Sequence, residues 1–418
     1  MLRLFGGVGL VLCMGLAAVT AGAVAVGRLL HTELIAFAAS PRQASGGVYL
    51  LDTTMRMTLR LVAGYDSTVG TEFLVSPQGD LFIRLCSDER CHAYMMQDTQ
   101  LRQLPIVLDV NSDVVWSAEG SLALASCEAA VCDIYLWDGA TMRNLTNTPD
   151  VSETLPAWSA DGRLAFLTCD TLTCHNIVVW DGQTFQDVTD GLSQVAGVPQ
   201  WSADGWLAFA GGCTADGRCD VMVWDGSTLR NVTPDAVVGG RPLWGRNGQL
   251  TFQSCTSFFV NCDLLLWDGV TVTNFPPGIH ATAANPAWNN AGQLAFVTSE
   301  GIQTRMMLWD GTALHTIIQQ LDVFMPQVVW SADGQLAFLS CTSLGLCDLL
   351  LWDGTTAYPL MQSLLTTSRF FSWNDAGHLL FMACFNVIRD CHLMLWDGQT
   401  LNRMSEIPAD TYFPVWLP

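Results

Sequence analysis

One pattern of apolar and polar positions repeats along the chain. Short apolar runs such as LAFL (Leu164–Leu167), LAFA (Leu207–Ala210) and LAFV (Leu294–Val297) alternate with runs that end in Trp, such as NIVVW, DLLLW and CHLMLW. Runs of this length, bounded by turn residues and apolar at successive positions, predict strands buried on both faces. Polar turns separate them. A Trp-Ser-Ala-Asp-Gly stretch precedes the first run, and Trp-Asp-Gly follows the second. Asp-Gly between apolar runs is a strong hairpin signal, because Gly takes the positive φ that the turn needs.

The first Trp recurs at Trp116, Trp158, Trp201, Trp244, Trp288, Trp330, Trp373 and Trp416, in steps of 42 to 44 residues. VSPQG at Val75–Gly79 is a degenerate copy. The WDG Trp recurs at Trp137, Trp180, Trp224, Trp267, Trp309, Trp352 and Trp396. Each unit reads as four strands: A ends at the Trp (LPAW, VPQW, RPLW, NPAW), B is the LAF run, C ends at WDG, and D follows it (TLRNVT, TFQDVT). About 40–45 residues with four strands is the signature of a propeller blade. Leu34–Ser40 matches B, Val48–Asp52 matches C and Thr58–Val62 matches D, with no A before them. Phe413–Trp416 is an A with nothing after it. The two ends complement each other. The expected fold is an all-β propeller of antiparallel blades over residues 34–418, with the C-terminal strand A closing the ring on the N-terminal B, C and D. Nine blades are expected, with eight as the alternative.

The pattern resembles the WD40-like β-propeller repeats of the TolB type, in which a WSPDG turn and an IAF strand recur. Here these become WSADG and LAF, over roughly residues 34–418. The resemblance implies a periplasmic protein that works by binding other proteins. The chain departs from that family by having no globular domain ahead of the propeller and by carrying Cys pairs in its hairpins.

Composition adds a compartment and removes some functions. The net charge is −21, and the 18 basic residues are all Arg. No basic patch is present, so nucleic acid is not an expected partner. Leu4–Gly27 is an uncharged run between Arg3 and Arg28, long enough to span a bilayer. Residues 1–30 are expected to form an uncleaved transmembrane anchor. The alternatives are a signal peptide cut after Ala21-Gly22-Ala23, which would give a secreted protein, or a lipoprotein at Cys13.

Of 15 Cys, 14 fall into pairs that bracket the B–C hairpins: Cys86–Cys91, Cys127–Cys132, Cys169–Cys174, Cys213–Cys219, Cys255–Cys262, Cys341–Cys347 and Cys384–Cys391. Such positions face each other across an antiparallel hairpin, so seven disulfides and an oxidising compartment, periplasm or cell surface, are expected. The unit around Trp288 lacks both Cys and has Ser299 and Thr304 nearby. Cys86…Cys91-His92, Cys169…Cys174-His175 and Cys384…Cys391-His392 are stretched relative to a haem-attachment C-x-x-C-H. Zinc needs more ligands converging on one point than one hairpin offers. No metal or cofactor is expected.

The repeated Asp residues read as turn formers rather than calcium ligands or catalytic carboxylates. The repeated Trp residues read as packing between blades rather than sugar platforms. Of His31, His92, His175, His280, His315, His378 and His392, none recurs at a ring-forming position. No G-x-S-x-G, H-E-x-x-H or Gly-rich phosphate loop is present, and no hydrolase domain is expected beyond the closing strand. No catalytic residue is therefore assigned. The A–B and C–D turns are uniform, whereas the B–C hairpins and D–A connections vary. Variable loops on a rigid scaffold carry function. Arg241, His280, Arg369 and Asp410 are the candidate partner-binding residues. The expected function is a membrane-tethered, non-catalytic module that binds a protein. A carbohydrate-binding propeller and a propeller hydrolase or lyase are the alternatives.

Overall fold

A computed structural model describes residues 33–417 apart from 42–45, 54–56, 66–71, 88–89, 99, 111, 129–130, 171–172, 190, 216, 234–237, 240–241, 258–259, 276–285, 301–302, 320–327, 343–345, 366–370, 385–390 and 405–408. The chain is an all-β propeller of nine blades, each an antiparallel sheet with four strand positions in the order A-B-C-D. No described residue is helical. The anchor expected over residues 1–30 lies outside the described residues. No helix among those that are described is long and apolar enough to cross a membrane.

The strands fall into two compact parts. Residues 112–379 carry blades three to eight. In blade four, strand A is Ser152–Trp158, B is Leu164–Cys169, C is Cys174–Trp180 and D is Phe185–Asp187. Blade three supplies Val114–Trp116, Leu122–Glu128, Val131–Trp137 and Met142–Asn144. The other part, residues 1–111 and 380–418, holds blades one and two and most of blade nine.

Period-two alternation in strand B builds the core of the larger part. Leu164 and Phe166 face blade three and cluster with Ala123, Ala125, Ile134 and Leu136. Ala165 and Leu167 face the other way, towards Leu207 and Phe209 of blade five. The arrangement recurs. Ala208 packs with Leu250 and Phe252 of blade six, and Ala295 packs with Leu336 and Phe338 of blade eight. The strands B of blades four, five, six and eight therefore present Leu and Phe to a small Ala of the preceding blade. Large against small across facing layers is how interiors reach close packing. Phe166, Phe209, Phe252, Phe296 and Phe338 are all fully buried.

The strand-A Trp residues add a hydrogen-bonded ladder between blades. Trp201 Nε1 donates to the Ala157 carbonyl, Trp244 Nε1 to Gln200, Trp330 Nε1 to Ala287 and Trp373 Nε1 to Val329, at 2.9 to 3.2 Å. In every case the acceptor is the residue before the Trp of the preceding blade. Blade six has Thr251 in place of the LAF Ala. There, Trp288 Nε1 donates to Thr251 Oγ1, and that hydroxyl donates to the Leu243 carbonyl. The same acceptor is reached through one relaying hydroxyl.

In the other part, the C-terminal strand Ala409–Leu417 pairs antiparallel with Leu34–Pro41, with Leu34 opposite Leu417 and Ala36 opposite Val415. Leu34–Pro41 pairs in turn with Gly46–Asp52, and that strand with Met57–Tyr65. Blade one is thus assembled from both chain ends, as the sequence predicts.

Strand A differs from the expectation in one respect. The sequence places it only at the residues just before the Trp. In blade four it starts at Ser152, but its ladder breaks between Thr154 and Ala157, at Pro156. In blade five it starts at Val195 and breaks between Ala196 and Gln200, at Pro199. Blade six has two short pieces, Val238–Gly239 and Leu243–Trp244, with Pro242 between them. Proline cannot donate to a ladder and sits at bulges. The chain bulges at Pro and then rejoins strand B.

Phe252→Ala should cost about 3–5 kcal/mol in urea unfolding, and Ala208→Leu on the facing blade about 1–3 kcal/mol from overpacking. The double variant should be more stable than the sum of the two losses, because the added Leu carbons occupy the cavity. Simple additivity would show that the two side chains do not share one space.

Candidate functional site

At the A–B end of seven blades, one side chain organises the turn. The Oγ atoms of Ser76, Ser117, Ser159, Ser202 and Ser331 accept the backbone N–H four residues on, at 2.8 to 3.0 Å. Asn289 and Asn374 do the same through Oδ1. Gly follows in the left-handed region, as at Gly162 with φ +85°. At the C–D end, Oδ1 of Asp138, Asp181, Asp225, Asp268, Asp310, Asp353 and Asp397 accepts two successive backbone N–H groups at 2.6 to 3.0 Å. These carboxylates are committed to the backbone. The amide donors of Thr141 and Ala140 hold Asp138 below the usual Asp value, and equivalent donors act on Asp181, Asp225, Asp268, Asp310 and Asp353. On the same turns, the Arg163 guanidinium lies 4.7 Å from the Trp201 ring, donates to the Gly205 carbonyl at 2.9 Å and pairs with Asp161 at 3.0 Å. Trp158 and Trp180, Trp201 and Trp224, and Trp330 and Trp352 meet edge to face at 6.0 to 6.4 Å.

The opposite ends of the blades vary. Six of the expected disulfides are formed: Cys86–Cys91, Cys127–Cys132, Cys169–Cys174, Cys213–Cys219, Cys341–Cys347 and Cys384–Cys391. Each joins directly opposed residues of strands B and C in the hairpins whose register is described. Cys255 and Cys262 are opposed in the same register. In blade seven Ser299 and Thr304 hold that position. Polar contacts lie within a hairpin and between a hairpin and the connection before it. Nε2 of His175 and Oδ2 of Asp170 are 3.0 Å apart, and Ser193 Oγ donates to the Cys213 carbonyl at 3.3 Å. The Asp170 contact raises the His175 pKa above its ordinary value, with a backbone contact from Ser193 adding to it. Cys174 and His175, which the haem spacing singled out, are therefore engaged by Cys169 and Asp170. Among the described residues, no three His, Cys, Asp or Glu side chains converge as a metal site.

Of the four candidate binding residues, Arg241, His280 and Arg369 lie outside the described residues. Asp410 is placed differently from the expectation. It belongs to the strand Ala409–Leu417 and lies opposite Ser40, not in a connection. The repeat marks that strand only from Phe413, at the same kind of Pro-containing end that shortens the visible strand A elsewhere.

A group that the sequence reading missed lies in the connection from blade three to blade four. Glu153 is 2% exposed. Its Oε1 accepts from Thr148 Oγ1 at 2.6 Å and its Oε2 from Thr146 Oγ1 at 2.9 Å. Asp133, on strand C of blade three, accepts Asn144 Nδ2 at 2.8 Å and the Thr148 N–H at 3.0 Å. Thr146 Oγ1 also accepts the Ile134 N–H. Thr189 and Thr233 repeat that bond one and two blades on, so the Thr of N-L-T and N-V-T is a structural cap for strand C. The recurring Thr was the available signal; Glu153 itself does not recur.

No protein-family profile matches the chain, and no curated protein matches its sequence. Solved structures share the fold at low identity. A eukaryotic initiation factor superposes with a TM-score of 0.60 at 11% identity, covering 92% of this chain and 98% of the other. Porphyromonas gingivalis dipeptidyl peptidase 4 gives 0.56 at 10%, covering 87% of this chain and 66% of that one. TolB from Acinetobacter baumannii gives 0.36 at 14%, covering 71% and 83%. For the first two, the likeness at these identities extends to the propeller architecture alone.

Carboxylates whose folded pKa lies below the unfolded value stabilise the fold above that value and lose their contribution as the pH falls below it. The unfolding temperature should therefore drop as the pH is lowered past about 4. Asp181→Ala should lower it at neutral pH and remove part of the acid dependence, as followed by circular dichroism. An acid profile identical to that of the wild type would show that the turn carboxylate contributes nothing.

Proposed function

We propose that this chain is an extracytoplasmic β-propeller that binds a protein partner through its B–C hairpins and D–A connections, and that it acts as a scaffold rather than a catalyst. The observation that carries this reading is the contrast between the two ends of the blades. In blades three to nine, each C–D turn spends its Asp on the same backbone N–H groups. The other end differs from blade to blade and is braced by disulfides. A rigid frame with unlike loops at one end suits recognition of a surface. The disulfides favour a location outside the cytoplasm, and the apolar run Leu4–Gly27 would tether the propeller to a membrane there.

The test is cross-linking and affinity capture from membranes, comparing the wild type with a variant in which Arg241, His280, Arg369 and Asp410 are all changed to Ala. The reading expects a protein partner that the wild type captures and the variant loses. A bound glycan would replace it with the carbohydrate-binding alternative. Equal capture of the same partner by the variant would remove this face from consideration.

A further inference from the structure

The connection from blade three to blade four is both strained and buried. Residues 146–155 run from the end of strand D, Met142–Asn144, into strand A, Ser152–Trp158. Asn147 has φ +50° and Leu155 φ +53°. Leu in the left-handed region, inside a strand, persists only where the surroundings impose it. Two contacts impose it here. The Leu155 N–H donates to Asp113 Oδ2 at 3.3 Å, and Glu153 is enclosed by Thr146 and Thr148. Trp158, at the end of this strand, has a buried indole N–H with no hydrogen-bond partner, so it stands outside the indole ladder.

A proton count around Glu153 decides its state. Thr146 Oγ1 has one proton, and both Glu153 Oε2 at 2.9 Å and Asp133 Oδ1 at 3.3 Å accept from it. Thr148 Oγ1 has one proton, and both Glu153 Oε1 at 2.6 Å and the Val151 carbonyl at 3.1 Å accept from it. With Glu153 ionised, two hydroxyl protons face four acceptors, and two contacts become acceptor against acceptor. A proton on Glu153 Oε1 relieves one of the two, the conflict at Thr148. The acid then donates to Thr148 Oγ1, and the Thr148 proton goes to Val151.

We infer that Glu153 is a proton-operated clasp: its neutral acid holds residues 146–155 against blade three, and ionisation loosens them. The charge that acts on it, Asp133 on strand C of blade three, opposes ionisation and shares the Thr146 hydroxyl with it, while Asp113 beside strand A of blade three is bonded to the Leu155 N–H. Strand B of blade four and strand A of blade five, Val195–Trp201, bring no charged side chain. Burial pushes the Glu153 pKa up from its ordinary value of 4.5 and outweighs the lowering effect of the Thr148 and Thr146 hydrogen bonds, and the charge of Asp133 adds to the rise. A raised folded pKa means that the clasp is complete at or below the ordinary Glu value and is lost as the pH rises through the raised one. This inference stands independently of the partner-binding reading.

Amide hydrogen exchange of the full chain over a pH series, corrected for intrinsic exchange rates, tests it. Local opening of residues 146–155 should increase by up to about tenfold for each pH unit between the ordinary and the raised value. Blade five should not follow. Glu153→Gln keeps a donor towards Thr148 and cannot ionise, so its opening should be independent of pH. Asp133→Asn removes the neighbouring charge and should move the wild-type dependence to lower pH, which gives a second reading if Glu153→Gln folds poorly. A flat wild-type profile, or a Glu153→Gln profile that matches the wild type, would overturn the inference.

Discussion

Everything in this molecule depends on sheets that are apolar on both faces. Strand B of blade four sends Leu164 and Phe166 one way and Ala165 and Leu167 the other. Such a sheet cannot be left with one face in water. Phe166, Phe209, Phe252 and Phe338 each pack against an Ala of the blade before. Two-sided burial therefore demands a neighbour on both sides of every blade. That demand accounts for the long run of repeats and for a first blade built from both chain ends.

The other repeated residues follow from this demand. Strands this short need tight turns, and Asp or Ser bonded to the backbone provides them. Strand A stays in contact with the preceding blade through its Trp, as the bond from Trp201 to the Ala157 carbonyl shows. The polar groups of the repeat are consumed in the process. Side chains free to vary are left at the other end, where disulfides such as Cys341–Cys347 hold the hairpins. The connection at Glu153 shows that this end contains more than passive loops: it combines a left-handed Leu, a buried acid and too few protons for its acceptors.

Much of the fold was legible in the sequence because its cause is periodic. LAF encodes the alternation of large and small, WSADG and WDG encode turns, and paired Cys encode opposed hairpin positions. The complementary ends, Leu34–Ser40 and Phe413–Trp416, revealed the closure. Features set by unique contacts were not legible. The length of strand A was not legible because the repeat marks only the few residues up to the Trp, whereas the chain bulges at Pro156 and Pro199 and is interrupted at Pro242, with further pairing before each. Asp410 was assigned to a connection for the same reason. Glu153 carried no signal, since its meaning comes from the hydroxyls of Thr146 and Thr148 and from the backbone of Leu155, which no local pattern announces.

The central claim is that two-sided burial makes the pairing of the chain ends indispensable. It is tested most directly by ending the chain after Pro408, which removes the partner of Leu34–Pro41, and measuring thermal unfolding together with amide protection of that strand. The account predicts a lower unfolding temperature, a less cooperative transition, and loss of protection in Leu34–Pro41 that spreads to the blade-one residues packed around Phe37 and Leu51. An unchanged transition with Leu34–Pro41 still protected would contradict it.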